Sequence, residues 1–251
     1  DPRAVYSMVT AGPNGIVTTA PGAVIAAMES LDEGIIMARP TYITGHRGQP
    51  GDTTENTLSS AKHAYVSGAN AIENDVYLTT DGVLVIDHDG TTGRLYNQNL
   101  TVERCTWAEL QALSFKNPVN LEDGEGMATL EQFFTEFKGK DVVHFIEIKS
   151  SQTAIVAAVK ALAEQLDVVE QCVVITFNAN IRDEMARTWP EMSCGYLTGF
   201  SDQGSANANI QSVALSVWKD NNTFNPSYGG GSAAFVQVVP DNIHIRTSEM
   251  L

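Results

Sequence analysis

The chain has few cysteines, few basic residues and no long apolar run. Its three cysteines, at positions 105, 172 and 194, are too few and too scattered for a disulfide framework or a zinc site, although one disulfide stays open. No stretch of about 18 apolar residues occurs, so we expect no transmembrane segment. Lys and Arg number 15 against 30 Asp and Glu, and the formal net charge is -15. This balance argues against nucleic acid as a partner and against adsorption to anionic lipid, because both are negatively charged.

The glycine signatures of nucleotide-binding sheets are also missing. Neither GxGxxG nor a Walker sequence appears, and an open doubly wound sheet would carry such a loop after an early strand. Strand patterns instead alternate with helical patterns, which predicts parallel pairing. Eight strands in 251 residues suit a single-domain α/β fold, the (β/α)8 TIM barrel, with the doubly wound sheet as the alternative. We expect the strands at residues 14–18, 42–46, 70–78, 142–149, 172–177, 193–197, 213–218 and 243–247.

Helices are predicted between these strands, where apolar residues recur at helical spacing. Thr106 has the residue type and position of an N-cap. The dipeptide Asp81-Gly82 predicts a turn after the third strand, with residues 83–88 forming a hairpin or an extension of that strand. We expect the helices at residues 21–31, 57–67, 106–113, 130–137, 152–166, 180–188 and 232–239.

Three carboxylates lie on neighbouring strands of the predicted barrel. Glu73 and Asp75 share one face of the third strand, because their spacing matches the strand period of two. That pair alone is common on solvated strands, but Glu147 interrupts an otherwise apolar strand, where an unpaired charge is rare. Carboxylates aimed at one point repel each other unless a cation lies between them. Three oxygen ligands with open positions predict a divalent metal ion, Mg2+ or Ca2+.

Five short motifs follow one another along the chain: His-Arg-Gly at residues 46–48, Glu-Asn-Thr at 55–57, a longer stretch at 73–82 that contains Glu73 and Asp75, His-Asp at 88–89 and Glu-Ile-Lys at 147–149. In this order they resemble the glycerophosphodiester phosphodiesterase family. The family's pattern runs His-Arg-Gly, Glu-Asn-Thr, Glu-x-Asp-Val-x-Leu-Thr-x-Asp-Gly, His-Asp and Glu-Ile-Lys, and this chain matches it in order. The resemblance covers about residues 42 to 247. The probability that five ordered motifs agree by chance is small. The matching segments are residues 46–48, 55–57, 73–82, 88–89 and 147–149.

The resemblance implies a TIM barrel, a small-molecule phosphodiester substrate and hydrolysis to an alcohol and glycerol 3-phosphate. It assigns the metal to the three carboxylates already named. It implies further that the general acid and base are His46 and His88, that the phosphate oxygens are bound by Arg47 and Lys149, and that Glu55 supports the site. The nucleophile stays open between a water molecule and the substrate's own neighbouring hydroxyl.

Two other functions compete with this one. A phospholipase D-like barrel acting on lysophospholipid or sphingomyelin would need an apolar rim, whereas the loops at residues 201–209 and 221–231 are polar. A non-catalytic binding or surface module would be expected to have lost a metal carboxylate or a histidine, and the sequence retains all of them. The compartment stays open: cytoplasmic, or extracellular or at the cell surface if a longer precursor exists.

The ends of the resemblance stand in an unexpected order. The family's last helix, strand and following helix are matched by the N-terminal residues 1–31, and the predicted strand 243–247 lies near the C-terminus. Our hypothesis is a circularly ordered barrel, with residues 1–31 closing it, 32–41 as a linker and 42–251 as the main body. A tandem array is the alternative, in which strand 14–18 joins a neighbouring molecule in a strand-swapped homo-oligomer.

Three residues depart from the family's pattern. Arg246 replaces an aromatic residue, and Asn14 and Thr19 replace acidic ones. Because the predicted metal and histidine set is intact, we expect activity to be retained with an altered substrate preference.

Overall fold

A computed structural model describes residues 15–29, 42–198 and 222–226. Within these ranges, five longer helices and one short one lie between the strands of a single sheet. The strands are β1 (Gly15–Thr18), β2 (Tyr42–His46), β3 (Ala71–Leu78), β4 (Leu84–Ile86), β5 (Val143–Ile148), β6 (Cys172–Thr176), β7 (Cys194–Thr198) and β8 (Asn222–Pro226). The α-helices are α1 (Pro21–Glu29), α2 (Leu58–Val66), α3 (Trp107–Gln111), α4 (Leu130–Phe137), α5 (Ala154–Gln165) and α6 (Ala179–Thr188).

The sheet is parallel except for one hairpin. Its order is β1-β2-β3-β5-β6-β7-β8, and β4 pairs antiparallel with β3 through the turn at residues 79–82. The predicted parallel pairing and the predicted hairpin are therefore confirmed. The predicted strands 213–218 and 243–247 and the predicted helix 232–239 lie outside the described residues. Strand β8 falls instead in a stretch that the sequence indicated to be a polar loop.

The N-terminal strand pairs with the strand that carries His46. Gly15 to Thr18 of β1 run parallel to Tyr42 to Gly45 of β2 in a continuous register. This is one of the two contacts that the circular order requires. The other contact involves residues 243–247, so the permuted order and the boundaries 1–31, 32–41 and 42–251 stay a prediction.

The strands bury two different faces. One face, with Ala71, Phe145, Ile175 and Leu197 in a single apolar cluster, forms the interior of the sheet's curve. The opposite face packs on the helices through a larger cluster that includes Ile72, Val76, Ile146, Ile148, Val174, Phe133, Phe134, Ile155 and Ile181. Along β3 and β5 the interior face is apolar at the start and carboxylate-bearing two residues later. This change places the polar groups at the carboxyl end of the strands.

Local caps explain where two of the helices begin. Thr106 and Glu109 form a capping box at the start of α3, as expected from the predicted N-cap. Thr129 and Gln132 form the equivalent box at the start of α4. The segment between β4 and α4 has its own small core, so the long polar stretch after His88 is packed against the sheet. That core contains Tyr77, Val85, Tyr96, Val102, Leu110, Leu113 and Met127.

The three cysteines and His144 are buried and act as packing residues. All three cysteines are free buried thiols, so the disulfide that stayed open is not formed. His144 is fully buried on the helix side, edge-on to the ring of Phe134 at a centroid distance of 5.1 Å, and burial lowers its pKa to about 4. Among the described residues, no helix is long and apolar enough to cross a membrane.

Candidate metal and phosphate site

The three predicted carboxylates meet at the carboxyl end of the strands. Glu73, Asp75 and Glu147 each offer an oxygen that lies within 4.8 Å of the other two. All three side chains are buried, with relative exposures of 2%, 0% and 4%. Asp75 and Glu147 are register partners on β3 and β5, which explains why they converge. The Oε1 atom of Glu73 and the Oδ1 atom of Asp75 accept no hydrogen bond from any described residue.

The electrostatics of this cluster fit a bound cation. The pKa of Glu73 is raised well above its ordinary value by burial and then by the charges of Asp75 and Glu147. The pKa of Glu147 is also raised, by burial and by Asp75, against the opposing effect of Lys149. Buried carboxylates with free oxygens are rarely stable without a compensating positive charge. The triad could hold a metal ion, and its oxygen-only donor set suits a hard divalent cation.

A left-handed turn carries Arg47 over the triad. Arg47 has φ +57° and Gly48 has φ +85°, so the chain reverses directly after β2. The backbone N–H of Arg47 donates to Glu73 Oε2 at 2.9 Å, and its carbonyl accepts from the Ser60 hydroxyl at 3.0 Å and from the Asn56 N–H at 3.1 Å. These bonds hold in place a backbone conformation that costs energy for a residue with a side chain.

Replacing Gly48 in this turn is expected to destabilise the folded protein. A Cβ added at Gly48 would lie 2.4 Å from Ser60 Oγ and 2.5 Å from the Ser60 carbonyl carbon. Gly48→Ala should therefore lose about 1–2 kcal/mol for left-handed backbone and roughly 1–3 kcal/mol more for overpacking. Gly82→Ala is the matched control, because Gly82 has φ +83° but no described atom within 4 Å of the added Cβ. Denaturant unfolding of both variants measures the difference, and equal losses would contradict the steric argument.

Two cationic side chains border the triad. The Arg47 guanidinium places Nη1 3.1 Å from Glu55 Oε1 and Nε 3.6 Å from Asp75 Oδ2. The Nε atom is buried and has no acceptor within hydrogen-bonding reach among the described residues. Lys149 Nζ lies 2.9 Å from Glu147 Oε1 and 3.6 Å from Asp75 Oδ1. Burial lowers the pKa of Lys149, but the charges of Glu147 and Asp75 outweigh burial, so the pKa is raised and the ammonium stays charged.

The two predicted histidines lie in different surroundings. His46 Nε2 is 3.7 Å from Glu73 Oε2, and burial, followed by the charge of Arg47, lowers the His46 pKa to about 4. His46 is therefore neutral near pH 7. The Nδ1 atom of His88 lies 2.8 Å from Asp89 Oδ1. The charge of His88 contributes to lowering the pKa values of His46 and Glu147, which places His88 at the same site.

A cavity of about 360 Å³ opens beside the triad. It is lined by Glu147, Ile148, Lys149, Phe177, Asn178 and Ala179. Phe177 follows the end of β6 and is 51% exposed, with the Lys149 ammonium 5.9 Å from its ring centroid. A polar group bound at the triad would have this space beside it.

The structure brings all eight predicted site residues together and adds others. Asn56 donates from Nδ2 to Asp75 Oδ2 at 2.8 Å, and Asp89 contacts His88, although the motif match gave neither residue a role. Arg94 and Phe177 carried no signal in the sequence. Arg94 lies in the polar stretch after His88, and its partner Glu55 is 39 positions away in the chain.

The fold and the site define an α/β barrel protein with a buried acidic triad, at the carboxyl end of its strands, that could hold a metal ion. Residues 46–202 match the glycerophosphoryl diester phosphodiesterase family, and the chain belongs to that family. The resemblance stated from the motifs is therefore confirmed.

Individual relatives agree with this assignment. A glycerophosphodiester phosphodiesterase from Caldanaerobacter subterraneus subsp. tengcongensis is 30% identical over 165 residues, which are 62% of this chain and 66% of the relative. Mouse lysophospholipase D GDPD3 is 24% identical over 164 residues, 62% of this chain and 49% of the relative. The chain thus matches just under two thirds of the first relative's length and about half of the second's.

A solved structure supports the fold. An Oleispira antarctica phosphodiesterase in complex with the product sn-glycerol-3-phosphate superposes with a TM-score of 0.63, at 20% identity, over 78% of each chain. The predicted single-domain barrel is confirmed as the fold class by this likeness and by the parallel sheet described above.

Proposed function

We propose that this chain hydrolyses glycerophosphodiesters to an alcohol and glycerol 3-phosphate, with a divalent metal ion bound at Glu73, Asp75 and Glu147. The observation that carries the proposal is the buried triad of carboxylates with a charged guanidinium and a charged ammonium beside it. Family membership supports the same reaction class, and the Oleispira relative, which holds sn-glycerol-3-phosphate, supports the product.

The charges of the site match those of a phosphodiester. The substrate carries one negative charge, and displacement at phosphorus builds more charge on the equatorial and leaving oxygens. In this proposal the guanidinium of Arg47 and the ammonium of Lys149, which both border the triad, donate to those oxygens. A metal ion at the triad, Mg2+ or Ca2+, would supply Lewis-acid stabilisation of the same charge.

The histidines supply the proton transfers. His46 is neutral and can accept a proton from the nucleophile, and the negative phosphodiester raises the affinity of this imidazole for that proton. His88, with Nδ1 bonded to Asp89, has Nε2 available to donate to the leaving alkoxide. The nucleophile is either a water molecule or the substrate's neighbouring hydroxyl, and both routes need the same two proton transfers.

Release of glycerol 3-phosphate tests the proposal. The protein is incubated with glycerophosphocholine and with glycerophosphoethanolamine, with Mg2+ or Ca2+ and then with EDTA. We expect turnover with at least one metal, loss of nearly all turnover with EDTA, and recovery when the metal is added back in excess. Turnover that EDTA leaves unchanged would contradict the role of the triad, and no turnover of either substrate with either metal would contradict the proposed function.

A second candidate is cleavage of a lysophospholipid at the same site. The observation that favours it is the match to mouse lysophospholipase D GDPD3. The half-exposed ring of Phe177 beside Lys149 provides one apolar contact at the cavity. Release of choline, which both substrates yield, distinguishes the candidates when lysophosphatidylcholine is compared with glycerophosphocholine, because the first candidate predicts the higher kcat/KM for glycerophosphocholine.

A further inference from the structure

Arg94 bonds two carboxylates of the site, those of Asp89 and Glu55, although the proposed mechanism gives Arg94 no role. It lies in a short 3₁₀ turn, Thr92–Arg94, after the β4 hairpin. Its Nε donates to Asp89 Oδ2 at 2.5 Å and its Nη2 donates to Glu55 Oε1 at 2.7 Å. We propose that Arg94 is a positioning residue that orients His88 through Asp89 and Arg47 through Glu55. This inference rests on the proposed function of the site.

The contact of Arg94 with Asp89, the first arm of its interactions, fixes the orientation of His88. Asp89 uses Oδ1 for His88 Nδ1 at 2.8 Å and Oδ2 for the Arg94 guanidinium. A carboxylate bonded at both oxygens cannot rotate freely, so the imidazole bonded to it is held in one orientation. Burial raises the pKa of Asp89, but the bonds from Arg94 and His88 outweigh burial and lower it, so Asp89 stays ionised. An ionised Asp89 accepts from Nδ1–H and leaves Nε2 for the reacting oxygen.

The contact of Arg94 with Glu55, the second arm, affects how strongly Arg47 can bind a phosphate oxygen. Glu55 Oε1 accepts from both Arg94 Nη2 at 2.7 Å and Arg47 Nη1 at 3.1 Å. Burial raises the pKa of Glu55, but the bonds and charges of Arg94 and Arg47 outweigh burial, so the pKa is lowered overall. The hydrogen bond from Arg94 is the largest of the lowering causes. Arg94 and Arg47 therefore share the Glu55 carboxylate. Without Arg94, Glu55 would hold the Arg47 guanidinium more tightly, in competition with a phosphate oxygen.

A purely structural ion pair is the competing explanation. Arg94 is 43% exposed, and exposed ion pairs contribute little to stability. Such a pair would change the melting temperature slightly, and it would leave kcat, KM and the His88 ring unchanged. A positioning residue would change all three, because its partners contact the groups proposed to act on the substrate.

The first experiment compares Arg94→Ala, Arg94→Lys and Arg187→Ala in the metal-loaded enzyme. Arg187 is the matched control, because it also bonds a carboxylate, that of Glu184, but lies in the last turn of α6. We expect Arg94→Ala to lower kcat about 10–100-fold and to raise KM, and Arg187→Ala to change neither. Arg94→Lys should recover part of the loss, since one ammonium keeps the charge but cannot match the planar fork between two carboxylates.

Double variants separate the two arms. If Arg94 acts on His88 through Asp89, Arg94→Ala added to Asp89→Asn should lower kcat no further. If it acts on Arg47 through Glu55, Arg94→Ala added to Glu55→Gln should raise KM no further. Full additivity in both pairs would overturn the inference, because residues that act through one another are not additive.

A measurement without turnover separates this inference from the proposed function. Imidazole ¹⁵N NMR of the wild type should show one sharp set of His88 signals with Nδ1–H held in its hydrogen bond to Asp89, and Arg94→Ala should show mixed or exchange-broadened signals. A wild type that turns over no substrate would contradict the proposed function, but the His88 signals would still test the positioning role of Arg94. Identical His88 signals in the wild type and in Arg94→Ala would overturn the positioning role.

Discussion

Replacing His46 with alanine is expected to lower kcat about 10²–10⁴-fold, the usual effect of removing a general acid or base. His46 is neutral near pH 7, since its pKa is lowered to about 4, and its Nε2 lies 3.7 Å from Glu73. It is the ring at the site that can accept a proton from a nucleophile next to the triad. Steady-state kinetics on glycerophosphocholine with saturating metal measure the loss.

The matched control for this prediction is His63→Ala. His63 lies in α2 with 45% of its side chain exposed, and Asp52 is 3.9 Å away. It is outside the site, so its removal should leave kcat and KM unchanged. His88→Ala should cause a loss similar to that of His46→Ala. The double variant should be much less impaired than the product of the two losses, because the two groups act as a unit in one displacement. A His46→Ala enzyme as active as His63→Ala would contradict the mechanism.

The same assignment predicts the pH range of activity. A general base must be unprotonated, and the His46 pKa of about 4 means that this condition is met above that pH. Protonation of His46 should therefore cost activity only as the pH falls towards about 4. An acid limb of kcat/KM near pH 6.5 that disappears in His46→Ala would contradict the lowered pKa.

The helices and the parallel strands could be predicted because their signals are local. Helix α4 occupies residues 130–137 as expected, and most other bounds differ from the prediction by one or two residues. The capping box at Thr106 and the hairpin after Asp81 follow from residues a few positions apart. That Glu73 and Asp75 lie on the same face of β3 follows from the strand period alone.

Strand β8 could not be predicted, because its residues carry no strand pattern. The segment Asn222–Pro226 contains two asparagines and a proline, which are depleted in strands. It pairs residue by residue with β7, from Cys194 with Asn222 to Thr198 with Pro226. Pairing with a neighbouring strand therefore determines this element, and such pairing is not visible in the local sequence.

The partners that organise the site were equally hidden. The motif match named Glu55 and Asn56 together, but Asn56 binds Asp75 and Glu55 binds two arginines. Arg94 meets Glu55 only because the segment after β4 folds back on the turn after β2. Contacts across 39 positions depend on the packing of two loops, so sequence spacing does not reveal them.

Removing the charge of Glu73 is expected to stabilise the metal-free protein and to abolish its response to metal. In the metal-free protein the Glu73 pKa is raised well above its ordinary value by burial and by the neighbouring carboxylates. The folded state therefore keeps a proton that the unfolded state has released. The stability that this proton contributes is complete below the ordinary carboxyl pKa and is lost as the pH rises through the raised folded-state pKa. The melting temperature in EDTA should fall across that range.

A bound cation takes over the role of that proton, so the rise in melting temperature on adding Mg2+ or Ca2+ should grow with pH. Glu73→Gln keeps the shape and removes the charge. In EDTA at pH 8 it should melt higher than the wild type, by about 2–4 °C for each kcal/mol gained, and it should not respond to metal.

Glu170→Gln is the control for the loss of a carboxylate, because Glu170 is exposed and lies in the 3₁₀ turn before β6. It should keep the wild-type dependence on both pH and metal. Thermal melts of the three proteins with EDTA and with metal, from pH 5 to pH 8, make the comparison. A Glu73→Gln protein that still gains stability from metal would show that the cation binds elsewhere. A wild type whose melting temperature in EDTA does not fall with rising pH would show that Glu73 is ionised without a cation, and the argument from buried, mutually repelling carboxylates would then be wrong.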